Sequence, residues 1–128
     1  MTYNKKEFLE MLHDLELSEQ DLEEISKTGE VVKFKTLTVK RKKSKIHGYG
    51  MFSLIDLEGG DIIGLASINA IHKTYLGRYT NHSHNPNIEF LYLQNYDLIA
   101  VAKQDINKGQ ELLVDYRNHI LTPQFYKI

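Results

Sequence analysis

Apolar residues recur at helical spacing near the start of the chain and at strand spacing through most of the rest. Phe8, Leu9, Leu12 and Leu15 fall on one face of a 3.6-residue period, and Asn4 is placed to cap the helix they imply. Ser18 and Asp21 restart a second short helix carrying Leu22 and Ile25, which Gly29 stops. This helical hairpin over residues 4–28 would cover a sheet edge or a partner. From Val31 onward the texture changes to short β-branched and aromatic runs. The pattern predicts strands over Val31–Val39, Gly50–Leu54, Asp61–Ser67, Ile88–Leu93, Leu98–Ala102 and Glu111–Asp115, with Gln94-Asn95-Tyr96-Asp97 as a hairpin connection. The expected organisation is an N-terminal helical extension, residues 1–30, followed by one mostly β domain, residues 31–128.

One internal echo stands out. Asp56-Leu57-Glu58-Gly59-Gly60-Asp61 and Asp105-Ile106-Asn107-Lys108-Gly109-Gln110 share an Asp, an aliphatic residue, a Gly and a polar residue ahead of an apolar strand. The glycines suit tight turns that need positive φ.

Composition narrows the function classes. The 128 residues are 41% apolar, enough for one modest core. A net charge of −1 gives no global field toward nucleic acid or membrane. Cysteine is absent, which excludes disulfides, thiolate metal sites and cysteine nucleophiles within this chain. No apolar run approaches the ~20 residues of a membrane span, and the first residues lead into an acidic amphipathic segment rather than a signal core. The expectation is a cytoplasmic protein with no membrane association. The basic run Lys40-Arg41-Lys42-Lys43, with Lys45, reads as a solvated face or turn. No aromatic stacking platform interleaves with it, so nucleic-acid binding is not expected.

The chemistry concentrates in three segments. The first is Lys45-Ile46-His47-Gly48-Tyr49-Gly50-Met51-Phe52. The second is Arg78-Tyr79-Thr80-Asn81-His82-Ser83-His84-Asn85-Pro86-Asn87, where Pro86 fixes its own φ and biases Asn85 away from helix. The third is Glu111-Leu112-Leu113-Val114-Asp115-Tyr116. Read singly, these are a flexible turn, a polar loop with local Asx bonds and a tyrosine at a strand end. Together and in this order they resemble the SET-domain protein lysine methyltransferases, whose segments read G-x-G-x-F, R-F-x-N-H-S-C-x-P-N and E-L-x-x-D-Y. The resemblance covers the chain from about Val32 to Asn118.

The resemblance implies a β-clip-like SET fold of several small curved sheets, in which a pseudoknot brings the Asn81-His82 and Tyr116 segments together. It implies transfer of a methyl group from S-adenosyl-L-methionine to a lysine of a protein substrate. Gly48, Tyr49 and Gly50 would bring backbone close to the cofactor, Asn81 and His82 would contact its adenosine part, and Arg78 would support or line the pocket. Tyr116 would be the catalytic residue, its hydroxyl orienting the amine and offering an oxygen to the polarised methyl hydrogens. Lysine in an apolar channel beside a sulfonium cation has its charged form disfavoured by desolvation and like charge. Phe52 and Asp115 read as structural, and Asn87 as holding its loop. Phe125 and Tyr126 are either a packing anchor or a cover over the cofactor. Val114 stands where relatives often carry a larger residue, leaving room for higher methylation states.

The chain departs from the family pattern in two places. His84 replaces the usual Cys, forming an H-x-H pair with His82; two alternating residues are too few for a metal site, and none is expected. The span between Asp61 and Arg78 is short where relatives build one wall of the substrate groove, so the N-terminal helices or a second copy would supply it. Phe8, Leu12 and Leu15 would accordingly pack against the sheet or between subunits of a homodimer. The short groove also leaves open a binding module that keeps the fold without turnover. A minimal domain of this kind resembles viral, phage or bacterial members.

Overall fold

The structure is a computed structural model that describes residues 5–16, 18, 20, 38–68, 72–121 and 123–127. Its order is α1 (Lys5–Leu15), β1 (Val39–Lys43), β2 (Tyr49–Ser53), β3 (Ile62–Ile68), β4 (His72–Lys73), α2 (Tyr75–Tyr79), β5 (Asn81–His82), β6 (Ile88–Tyr92), β7 (Leu98–Ala102), β8 (Leu113–Val114) and α3 (Tyr116–Leu121).

Strand β7 is apolar at every position and buried at every position, which puts it inside a sheet covered on both faces. That sheet runs β4-β3-β7-β6, all antiparallel, with register shifts between β3 and β7 that bend it. Val39, Met51, Leu57, Ile63, Leu76, Ile88, Phe90, Ile106, Leu112 and Val114 pack with β7 into the main core. Two smaller pairs complete the β structure: the β1–β2 ribbon, and β5 alongside β8. The mostly β architecture of small sheets expected from the sequence is observed.

The basic run proves to be strand β1 rather than a turn, with Lys40, Lys42 and Lys43 exposed on a two-stranded ribbon. The expected strand at Glu111–Asp115 is cut to Leu113–Val114, with Glu111 forming a lone bridge to Phe52. Helices α2 and α3 are additions to the expected pattern. Thr74 caps α2, accepting from the Gly77 N–H.

The two echoing turns pack on each other reciprocally. Leu57 and Ile106 exchange both backbone hydrogen bonds, at 2.8 and 2.9 Å. Asp56 Oδ1 accepts from Lys108 N, and Asp105 Oδ1 accepts from Gly59 N. Gly60 and Gly109 take φ of 95° and 90°.

Helix α1 ends at Leu15, and Glu16 at φ 56° breaks it. Met11, Leu12 and Leu15 are its buried face, with Phe8 partly buried against them, whereas Leu9 is exposed. The expected second helix over 18–28 and the segment 31–37 lie outside the described residues, apart from Ser18 and Gln20. The buried face of α1 packs on Tyr116 within this chain. An ion pair and a hydrogen bond fix its docking: Arg117 Nη1 meets Asp14 Oδ2 at 2.6 Å, and Glu7 Oε1 accepts from the backbone N–H of His84 at 2.6 Å. Among the described residues no helix is long and apolar enough to cross a membrane.

Candidate functional site

Strands β5 and β8 pair in parallel, Asn81 with Leu113 and His82 with Val114. This pairing brings the second and third motif segments together. The first segment joins them through one side chain. Asn81 Nδ2 donates to His47 O at 3.0 Å, to Tyr49 O at 3.2 Å and to Glu111 Oε2 at 2.8 Å. Two carbonyls of the glycine loop, the Asn of the second segment and the Glu of the third thus meet at one amide.

Glu111, whose sequence neighbours offer it no partner, organises this junction. Its carboxylate also accepts from Ser44 Oγ, at 2.8 and 3.0 Å, and Ser44 Oγ accepts from Ile46 N at 2.9 Å. The loop preceding Gly48 is therefore folded around Ser44 and anchored on Glu111. A Cβ at Gly50 would run into the Glu111 carboxylate and stand 3.2 Å from Asn81 Nδ2, so a larger residue there would push the carboxylate off its bonds to Ser44 and Asn81. Gly48 has a different reason: it sits at φ 48°, where a side chain is strained, and a Cβ there would meet nothing within 4 Å. Its backbone faces open space.

Tyr116 opens α3, directly after β8. Its hydroxyl donates to the fully buried Thr80 carbonyl at 2.6 Å. Its N–H donates to His82 Nδ1 at 3.1 Å. The ring lies 5.2 Å from His82 and 6.2 Å from His119, centroid to centroid, and bridges the main core and the α1 cluster. Position, backbone and hydroxyl are all fixed. The Thr80 acceptor had no signal in the sequence, being an ordinary Thr that follows α2 as its C-cap.

His82 is a buried structural partner of Tyr116. Its side chain is only 4% exposed, and Nδ1 accepts from the Tyr116 N–H, which leaves the proton on Nε2. Burial pushes its pKa down to about 4, against the pull of Asp115 at 3.8 Å. His82 enters the cluster through its β5 backbone, and its imidazole turns toward Tyr116 and His84. Burial likewise pushes His119 down to about 4. Burial works against the Asp115 carboxylate, but hydrogen bonds from Arg117 overcome it and hold its pKa below the usual range. Asp115 is structural, as expected from the sequence: it takes the Arg117 side chain through Nε at 2.9 Å and Nη2 at 2.6 Å.

Arg78 lies in the last turn of α2, its guanidinium 5.5 Å from the Tyr79 ring. Burial and then the Arg78 charge lower the Lys73 pKa. Tyr49 keeps its backbone in the Asn81 junction, and its ring leans on Tyr79 at 6.4 Å. Asn87 ties its loop to the third segment, donating to Glu111 O and accepting from Leu113 N. Val114 is 1% exposed and packs in the main core. Phe125 packs on Tyr92 and Tyr96 at the sheet edge. His84 faces Glu7 and Glu10 of α1. No group of three or more metal-ligating side chains occurs among the described residues.

Comparison with known proteins agrees with this arrangement. The family model described as SET domain matches residues 4–117. A search of curated protein sequences finds no match. Among solved structures, a humanized mutant of the Chaetomium thermophilum Polycomb Repressive Complex 2 bound to an inhibitor is similar at a TM-score of 0.53 and 23% identity, over 66% of this chain and 15% of that one. The same complex in an autoinhibited conformation bound to S-adenosylmethionine gives 0.53 and 21%, over 66% and 16%. A Plasmodium falciparum protein assigned as a candidate histone methyltransferase gives 0.52 and 23%, over 65% of this chain and 95% of that one. This chain thus corresponds to about one-sixth of the Polycomb chains and to nearly all of the Plasmodium one.

Proposed function

Because this chain belongs to the SET-domain family, we propose that it is an S-adenosylmethionine-dependent protein-lysine N-methyltransferase. The observation that carries the reading is the junction at Asn81, where the glycine loop, the Asn-His segment and Glu111 meet within hydrogen-bonding distance. The open backbone face at Gly48 fits a ligand laid against the loop. Gly48, Tyr49, Gly50, Arg78, Asn81 and His82 would hold the cofactor, the last two through β5. Arg78, three residues before Asn81, would supply a cation suited to the cofactor's carboxylate. When bound, the cofactor supplies a methyl group on a sulfonium.

Tyr116 is the residue proposed to act on the reacting atoms. Its hydroxyl proton is committed to Thr80 O. In the proposed role the same oxygen would accept from an amine N–H or from methyl hydrogens made positive by the sulfonium. A tyrosine fixed this way orients the amine and needs no proton transfer. The neighbouring imidazoles of His82 and His119 are held neutral by burial, so they add no cation beside the developing charge. The acceptor is a lysine side chain of a protein.

The test is calorimetric titration with S-adenosylmethionine, followed by transfer of a labelled methyl group to lysine in a protein mixture. Saturable binding and label on lysine Nζ are expected. No binding defeats the proposal. Binding with no transfer to any lysine favours a SET-fold binding module, the reading that the short stretch ahead of Arg78 leaves in play.

A further inference from the structure

Arg41 projects from β1 into a ring of three tyrosines. Its guanidinium carbon lies 4.9 Å from the Tyr49 centroid, 4.9 Å from Tyr75 and 4.8 Å from Tyr79. The rings are themselves packed edge to face, Tyr75 on Tyr79 at 5.4 Å and 89°, and Tyr49 on Tyr79 at 6.4 Å and 77°. A guanidinium among ring faces gains from the aromatic quadrupoles and from stacking, which an ammonium reproduces only in part.

The three rings come from separate places that all border the Asn81 junction. Tyr49 stands between Gly48 and Gly50, and its carbonyl is one of the acceptors of Asn81. Tyr79 ends α2, immediately before Thr80, which holds the Tyr116 hydroxyl, and Asn81. Tyr75 begins α2. Tyr49 is 48% exposed, so burial alone does not fix its ring. The ribbon that carries Arg41 pairs it with Met51, next to Gly50.

We propose that Arg41 is a positioning residue for the cofactor: by clamping Tyr49 to α2 it holds the Gly48–Gly50 backbone in its binding shape. This rests on the reading that the glycine loop holds S-adenosylmethionine. The effect belongs to affinity, because Arg41 reaches neither Tyr116 nor the acceptor lysine through any contact described above. A partly exposed cation–aromatic cluster supports about a tenfold effect on binding.

The experiment compares the parent with Arg41→Met and Arg41→Lys in the full chain. Cofactor Kd is read by calorimetry, kcat at saturating cofactor by methyl transfer, thermal midpoint by circular dichroism, and amide exchange of residues 46–50 without cofactor. Arg41→Met is expected to raise Kd about tenfold and speed exchange over 46–50, with kcat at saturation within about twofold. Arg41→Lys is expected to recover part of the affinity. Tyr75→Leu removes one ring without touching the glycine loop and is expected to shift Kd and exchange in the same direction; it decides the matter if Arg41→Met does not fold. Unchanged exchange over 46–50 overturns the proposal, as does a Kd equal to the parent's. Faster exchange in a chain whose parent binds no S-adenosylmethionine supports the clamp and removes the cofactor reading, so the two failures are told apart.

Discussion

Tyr116→Phe removes one oxygen and almost no volume, and two separate consequences can be worked out. The first is on stability. The hydroxyl is the donor to Thr80 O at 2.6 Å, and Thr80 is fully buried. Stripping a buried carbonyl of its donor costs roughly 1–3 kcal/mol. For a domain between the small and medium size classes this is a fall of about 4–12 °C in thermal midpoint. A domain with about 5–15 kcal/mol of stability stays folded at room temperature after such a loss. The second consequence is on turnover, where a single positioned oxygen at the reacting atoms supplies about 10²–10³-fold. The assay is methyl transfer at saturating cofactor, run well below both midpoints, with cofactor affinity measured in parallel. A large fall in kcat with Kd near the parent's is expected. A variant that turns over at the parental rate refutes the catalytic role, and so does a loss of rate explained wholly by loss of cofactor binding.

Three further outcomes follow from the geometry. Gly50→Ala places a methyl against the Glu111 carboxylate and beside Asn81; cofactor affinity measured by calorimetry should fall at least about tenfold while the sheet of β3, β7 and β6 stays intact by circular dichroism. Gly77→Ala drives a Cβ into the Ala66 carbonyl, where α2 lies backbone against β3; chemical denaturation should show a loss of about 1–3 kcal/mol, and an unchanged midpoint rejects this packing. His82 and His119 bind a proton near pH 6.5 when unfolded but only near 4 in the fold. The unfolded chain therefore holds more protons across that window, and stability should drop as pH falls from about 6.5 to 4. Asp115, held low, adds its own loss only below its ordinary value of 3.8. His119→Phe should weaken the fall of the thermal midpoint between pH 6.5 and 4, leaving the part due to His82, and a parent whose midpoint is already flat there contradicts the assignment of neutral buried imidazoles.

Strands β6 and β7 were legible because their apolar runs are bounded by turn residues, Asn85-Pro86-Asn87 before and Gln94 to Asp97 between. The sequence Val-Lys-Arg-Lys-Lys hid β1, since that strand buries only Val39 fully and its pairing is carried by backbone. Helix α2 was hidden by its length of five residues and by Gly77, whose place there is dictated by the Ala66 carbonyl. The glycine loop, Asn81 and Tyr116 stood out because motif residues cluster locally. Glu111 lay inside a motif with no local reason to act, its partners Ser44 and Asn81 being 67 and 30 positions away. Thr80 and Arg41 act only through contacts made in three dimensions, with Tyr116 and with the three tyrosines. Leu9 satisfied the helical period yet faces solvent, while Met11 carries the burial; a stripe fixes the face only to within about one residue's turn.

The parallel pairing of β5 with β8 has a consequence for how the protein is made. Asn81 and His82 leave the ribosome more than thirty residues before their partners Leu113 and Val114. The hairpins of β1–β2 and β6–β7 close over short loops and can form while synthesis continues. The junction cannot: Asn81 waits for Glu111, and the Tyr116 hydroxyl for Thr80. A chain halted before residue 111 therefore lacks the Asn81–Glu111 contact, the β5–β8 pairing and the Tyr116–Thr80 hydrogen bond at once. On the function proposed above, cofactor binding and turnover would then become possible together, late in synthesis and within a few residues of one another.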